Sequence, residues 1–351
     1  MFIDLATRLP KGKYRAVVVI RGKGWVYEEL CRQGIKPLLL EAKGSFNWRY
    51  LKALCNLIRH ERVDLIQSHL LGSNLYCSLA GLLTRTPVVA TFHGSVDIGA
   101  GERLKGLKFA AINAGASCIV AVTDSLRDDI VARTLLKVTK IRVIYNGVDT
   151  AAFQRPHTSR LREKYGWGEN EFLVGSLGNI RVAKGYDTLL RAAAILEQGS
   201  RSCRFVIAGQ GKGALYEQLL AFRKELGLEG RVKFLGYIDD AADFLSNLDL
   251  FLSSSISEGL PLSAVQAMVA RLPILATRCG GYEQLITDQK NGRLVEVGNP
   301  GAIADAIDLL AADPELRAML AENARKHAVE TYDIGVMLKA YEEIYQNLIS
   351  K

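Results

Sequence analysis

The chain has 351 residues, of which 49% are apolar and 23% charged, a balance that excludes wholesale disorder, collagen and coiled coil. At roughly 100–200 residues per domain it divides in two, which excludes a single small binding module. The net charge of +8 is local: residues 1–62 hold 13 Lys and Arg against 5 Asp and Glu, and the rest of the chain balances.

From the N-terminus, MFIDLATRLPKGK lacks a basic, apolar, then small-residue leader pattern, and no apolar run approaches the ~20 residues needed to cross a bilayer. A cytoplasmic protein is expected. Short β-branched runs then recur at AVVVI (16–20), KPLLL (36–40), VDLIQSH (63–69), PVVATFH (87–93), CIVAVT (118–123) and IRVIYNG (141–147), each followed by a longer stretch with helical spacing. Strands alternating with helices predict βαβ units on a parallel sheet covered on both faces. Residues 147–170 are polar, hold Pro156, Gly166 and Gly168, and read as a linker. The alternation restarts with FLVGSLG (172–178), CRFVIAG (203–209), RVKFLGY (231–237), LDLFLSS (248–254), LPILATR (272–278) and GRLVEV (292–297). Helical spacing continues from about 300 to 350, where Asp333 is placed to cap a last helix. The expected fold is α/β, with two doubly wound domains: 1–155, 156–332, and a C-terminal helix, 333–351, packing back toward the first. Open sheets of this kind bind ligands at their strand C-terminal ends, so the site is expected between the domains.

Four segments hold residues suited to chemistry. In GNIRVAKGYDTLLRA (178–192) a strand gives way to a helix near Gly185, with Arg181 and Lys184 just before it. Free N–H groups at a helix start, a dipole and a cation make a phosphate site; a solvated loop with two surface cations fits equally. In SISEGLPLSAVQAM (255–268) Glu258 follows a strand, Pro261 suits the first helical position, and Gln266 lies eight residues on, about two helical turns, facing the same way. His93 and Gly94 end the strand of TFHGS, where a histidine is either catalytic or a satisfied structural residue. AGQGKGA (208–214) imitates a dinucleotide fingerprint, but on the second βα turn, so it reads better as a tight turn. The cysteines are scattered singly, without metal-ligand spacing, and no metal is expected.

Taken with QSHLLGSNLYCSLAGLL, YNGVDTAAF, FVIAGQGKGALYEQL, RVKFLGYIDD and ATRCGGYEQLI, these segments resemble glycosyltransferase family 4, of the GT-B fold. The resemblance implies a central cleft between two Rossmann-like domains, a nucleotide-sugar donor on the second and a glycolipid or oligosaccharide acceptor on the first. It implies retaining, metal-independent hexosyl transfer without a cofactor, in polysaccharide or lipopolysaccharide assembly; the chain has no Asp-x-Asp. By the same resemblance Lys184 and Arg181 hold the diphosphate, Glu258 takes the sugar hydroxyls, and the Gly259, Leu260, Leu262, Ser263 turn cradles phosphate or sugar. His93 stands by the transferred sugar, Gln266 by the ribose, and Gly94, Asn179, Gly209 and Gly211 edge the cleft.

Three positions depart from the family pattern. Gln266 replaces a carboxylate, Arg271 replaces a glycine, and Met1 falls inside the helix that should follow the first strand and its glycine-rich loop. The expectation is therefore a first domain lacking its first strand, with two inner strand edges unpaired. The basic N-terminal region predicts an anionic membrane partner at the inner face of the plasma membrane, rather than nucleic acid. Competing readings are a sugar-nucleotide epimerase, a nucleotide-sugar-binding subunit impaired in catalysis and, from AGQGKGA alone, a dehydrogenase.

Overall fold

The computed structural model of the protein describes residues 1–41, 46–98, 104–197 and 202–350. Its contacts divide into two units, Met1–Gly147 with Gly335–Lys351, and Val148–Ile334. Every apolar run named above contains a strand.

The first unit runs α1 (Phe2–Arg8), β1 (Val19–Ile20), α2 (Trp25–Arg32), β2 (Leu38–Leu39), α3 (Trp48–His60), β3 (Ile66–His69), α4 (Leu71–Thr84), β4 (Val88–Phe92), α5 (Lys105–Gly115), β5 (Cys118–Ala121), α6 (Asp124–Arg133) and β6 (Ile141–Val143). All its ladders are parallel. β4 and β5 are buried at every position, as strands are when helices cover both faces. The sheet is in two pieces, β1-β2 and β3-β4-β5-β6. Among the described residues β1 and β3 thus each have one edge that pairs with no strand. Helix α3 shows why these segments fold locally as they do. Asn47 caps it by accepting from the Tyr50 N–H at 3.0 Å, satisfying an orphan donor of the first turn. Tyr50, Leu51, Leu54, Cys55 and Ile58 then recur on one face and enter the core.

The second unit holds α7 (Arg160–Tyr165), β7 (Phe172–Leu177), α8 (Tyr186–Glu197), β8 (Cys203–Ala208), α9 (Ala214–Glu225), β9 (Val232–Gly236), α10 (Ala241–Ser246), β10 (Leu250–Ser253), α11 (Leu262–Val269), β11 (Ile274–Thr277), α12 (Gly281–Leu285), β12 (Arg293–Val295), α13 (Pro300–Ala312) and α14 (Pro314–Tyr332). Its parallel strands lie in the order β12-β11-β10-β7-β8-β9. From β7 the chain winds outward through β8 to β9, then returns to β10 on the other side of β7. The order therefore reverses between β7 and β10, where connections leave in opposite directions and open a crevice at the strand ends.

The segment expected as a linker is built into the second unit. Val148 exchanges backbone hydrogen bonds with Tyr332 and Ile334, and Thr150 donates to the Asp333 carboxylate. On α7, Arg162 is buried and donates to the carbonyls of Glu171 and Asn247 and to the Asp249 carboxylate. These polar residues look like a surface linker in sequence, but they satisfy backbone groups near the starts of β7 and β10. The division accordingly falls at Gly147/Val148 rather than at 155/156. The last helix, α15 (Ile334–Ile349), belongs with the first unit. The Tyr345 hydroxyl donates to Gln67 Oε1 at 2.9 Å, and the Tyr341 hydroxyl lies 3.2 Å from Thr91 Oγ1.

Candidate functional site

The crevice between β7 and β10 brings together residues 74 positions apart. After β7 the chain passes through a 3-10 turn, Val182–Lys184, and Gly185 in the left-handed region at φ 58° before α8 begins. A side chain at Gly185 would put its Cβ 2.2 Å from the Ser254 carbonyl, so glycine lets the β7 loop lie against the end of β10. Hydrogen bonds join these loops: the Ile256 N–H to the Ala183 carbonyl at 2.7 Å, the Ser257 N–H to the same carbonyl at 3.4 Å, and the Ser254 hydroxyl to the Lys184 carbonyl at 3.0 Å.

Held in this way, Lys184 Nζ donates to Glu258 Oε1 at 2.5 Å, the two side chains being 19% and 16% exposed. Ser255 donates to the same carboxylate oxygen at 3.1 Å. The Lys184 stem lies over Gly178, where an added Cβ would come within 2.8 Å of Lys184 Cε. Arg181 is exposed, and among the described residues no ion pair holds it.

The turn after Glu258 is supported from beneath. The Gly281 N–H donates to the Glu258 carbonyl at 3.0 Å. A Cβ on Gly280 would meet that carbonyl at 2.3 Å, and one on Gly281 would meet the Gly259 carbonyl at 1.4 Å. Glycines 280 and 281 thus admit the Glu258–Gly259 backbone where no side chain fits. Helix α11 follows, but Pro261 is its cap and Leu262 its first residue, one position later than expected. Ala264, Val265, Ala267, Met268 and Val269 face the core, leaving Leu262, Ser263 and Gln266 half-buried on the remaining face. The Leu262 N–H turns back to the Leu260 carbonyl at 3.0 Å.

Beside this pair, the loop after β8 presses on the loop after β7. A Cβ on Gly209 would lie 2.0 Å from the Gly178 carbonyl, and Asn179 Oδ1 accepts from the Gln210 N–H at 3.0 Å. Gly211 instead makes room for the Tyr216 ring, 2.5 Å from its would-be Cβ. Close packing accounts for these two glycines, which removes the reason to read the segment as a dinucleotide fingerprint.

In the first unit, His93 follows β4 and Gly94 follows it, half-buried. The His93 N–H donates to Asp97 Oδ2 at 2.8 Å, while Asp97 Oδ1 accepts from the Leu71 N–H at the start of α4. His93 Nε2 lies 3.0 Å from Nδ1 of His69, which ends β3. Burial, aided by the neighbouring His93, lowers the His69 pKa to about 3, and burial lowers that of His93 against the opposing pull of Asp97. Two neutral imidazoles in contact hold one hydrogen between them, so the tautomers of His69 and His93 are coupled. Sequence reasoning assigned no role to His69 or Asp97. The available signal was a histidine closing the strand next to that of His93, in a register that pairs His69 with Thr91.

Sequence and structure comparisons agree with this architecture. The family pattern described as glycosyl transferases group 1 matches residues 158–327, and that of glycosyltransferase family 4 matches residues 1–152. An N-acetyl-alpha-D-glucosaminyl L-malate synthase of Bacillus anthracis is 27% identical over 303 residues, 84% of this chain and 78% of that protein. A capsular polysaccharide biosynthesis glycosyltransferase, CapM of Staphylococcus aureus, is 24% identical over 319 residues, 86% and 82% of the two chains. Among solved structures, HepE of Anabaena in complex with UDP superposes with a TM-score of 0.87 at 23% identity, covering 99% of this chain and 95% of that one.

Proposed function

From a chain that belongs to glycosyltransferase family 4 and has the GT-B fold of two Rossmann-like units, we infer retaining, metal-independent transfer of a hexosyl group from a nucleotide sugar to a glycolipid or oligosaccharide. The observation that carries this reading is the Lys184–Glu258 pair at the switch point of the second sheet. A cation and a carboxylate side by side suit a donor with one anionic and one hydroxylic part. Lys184 takes the diphosphate and stabilises the charge that grows on it as the glycosidic bond breaks. Glu258 accepts from sugar hydroxyls, and the α11 face of Leu262, Ser263 and Gln266 carries phosphate and ribose. His93, its tautomer coupled to that of His69, serves the transferred sugar. No cofactor takes part in this scheme.

CapM and the Bacillus anthracis synthase support a role in building glycans or glycosides, and we place this one at the inner face of the plasma membrane, in cell-surface glycan assembly. Among the described residues no helix is long and apolar enough to cross a membrane; the basic first 62 residues provide the attachment. Because the Anabaena protein is known with UDP-glucose, UDP-sugars head the test. Thermal shifts are measured with UDP-, GDP-, ADP- and CMP-sugars, since binding raises apparent stability by mass action, and the stabilising donor is then incubated with membrane lipid extract. Transfer of labelled sugar to the lipid supports the reading. Conversion of the donor without an acceptor replaces it by an epimerase, and binding without turnover by a non-catalytic subunit.

A further inference from the structure

A chain of polar side chains joins the strand end that holds His93 to the last helix. Successive side chains of a strand alternate between its faces, so Gln67 and His69 of β3 share a face with Thr91 and His93 in and after β4, in a register that pairs His69 with Thr91. Helix α15 meets that face with Tyr341 and Tyr345, one turn apart. Thr91, Tyr341 and Tyr345 are buried, and Gln67, His69 and His93 are half-buried. Away from water, each hydrogen in such a chain has to meet an acceptor.

That requirement gives the chain a direction. Gln67 Nε2 lies 2.9 Å from Thr91 Oγ1, 3.3 Å from the Ser68 carbonyl and 3.5 Å from His69 Nε2. A carbonyl only accepts, so the end of the amide that faces it is the NH2, and the Tyr345 hydroxyl donates to the other end, Oε1, at 2.9 Å. Burial keeps that hydroxyl protonated. Thr91 accepts from the amide and passes its own hydrogen to the Tyr341 oxygen at 3.2 Å, and Tyr341 donates to Met1 Sδ at 3.6 Å. The second amide hydrogen points between the Ser68 carbonyl and His69. A hydrogen on His69 Nε2 would face it donor to donor. His69, held neutral by burial, therefore carries its hydrogen on Nδ1 and gives it to His93 Nε2 at 3.0 Å. His93 then has its own hydrogen on Nδ1, an atom that makes no hydrogen bond among the described residues.

We propose that Gln67 and His69 are positioning residues that fix His93 with its hydrogen on Nδ1, so that His93 offers the transferred sugar a hydrogen-bond donor rather than a base. This rests on the reading that His93 serves that sugar, and adds which way its hydrogen points. A bare Nδ1 would instead draw a proton from a hydroxyl.

The chain has five histidines, few enough for every ring to be followed. The whole protein is prepared with isotope-labelled histidine, and long-range proton–nitrogen correlation spectra show which nitrogen of each ring bears hydrogen. His69→Asn and His93→Asn assign the two rings by their missing signals. Hydrogen on Nδ1 of both rings is expected. Hydrogen on His93 Nε2 overturns the proposal, and because this readout needs no turnover, failure of the transferase reading leaves it valid. Gln67→Met removes the donor that faces His69 and should leave both rings as mixtures of tautomers; unchanged spectra overturn the part given to Gln67. His69→Leu removes the donor to His93 and should lower kcat roughly ten- to hundredfold, the cost of a lost hydrogen bond that strands its partner, with KM for the sugar donor little changed. His69→Asn, whose amide can still donate to Nε2, should recover most of that loss. Thermal melts of both variants report folding. An unaltered kcat in His69→Leu, or an equal loss in both variants, overturns the positioning by His69.

Discussion

Glu258→Gln separates two roles that a site built from sequence motifs alone would merge. The carboxylate is 2.5 Å from the Lys184 ammonium and both side chains are mostly buried, so a diphosphate reaching Lys184 comes within about 6 Å of a like charge, which at an effective dielectric of roughly 20–40 opposes it by about 1.4–2.8 kcal/mol. Removing the charge while keeping the shape should therefore tighten binding of the free nucleoside diphosphate about ten- to hundredfold. Sugar transfer should fall, because charged hydrogen bonds to hydroxyls, worth about 1.5–3 kcal/mol each, become neutral ones. Calorimetric titration with UDP, or with whichever diphosphate the thermal shifts select, measures the first effect, and the bare nucleoside, which lacks the charge, is the control. If the variant binds the diphosphate no better, or more weakly, Glu258 is an orienting partner for Lys184 rather than its competitor, and the electrostatic argument is refuted.

Gln266→Glu restores a charged acceptor and should tighten donor binding by up to ~1–2 kcal/mol, with no gain for the 2′,3′-dideoxy nucleotide; equal gain for both would remove Gln266 from the ribose. Gly178→Ala meets the flexible end of Lys184 at 2.8 Å, with the Tyr186 hydroxyl at an ordinary 3.4 Å, whereas Gly209→Ala meets the Gly178 backbone carbonyl at 2.0 Å. The first should therefore weaken diphosphate binding with little change in melting temperature, and the second should cost about 2–4 kcal/mol of stability; denaturant melts and titration of both variants check the contrast. For His69, the unfolded chain binds a proton below about pH 6.5 that the folded chain refuses down to about 3. Its contribution to stability is thus complete above pH 6.5 and is lost as the pH falls toward 3, so His69→Gln should melt with a shallower pH dependence over that window than the parent protein.

Much of this molecule is local and therefore legible in one dimension. Runs such as CIVAVT and LDLFLSS are apolar throughout because parallel strands are covered on both faces, so the strands and the α/β class follow from composition and spacing. Glycine and proline mark turns by their own backbone limits, and the segments holding Lys184, Glu258 and His93 stand out because each ends a strand. The polar stretch from 147 to 170 misled for the same reason: polarity records contact with water or with buried backbone, and nothing in Arg162 itself says which.

Partnership, in contrast, came only with the tertiary fold. That Lys184 faces Glu258 depends on β10 lying beside β7, an arrangement of loops 74 positions apart that no local periodicity encodes. The same holds for His69 against His93, for Gly178 beneath the Lys184 stem, and for Gly280 and Gly281 beneath the Glu258 turn. The sequence by itself determined which residues end strands and carry charge or hydroxyl affinity. Only the tertiary structure decided which of them meet, because a contact between distant segments is settled by strand order and by the few positions where one backbone closes on another.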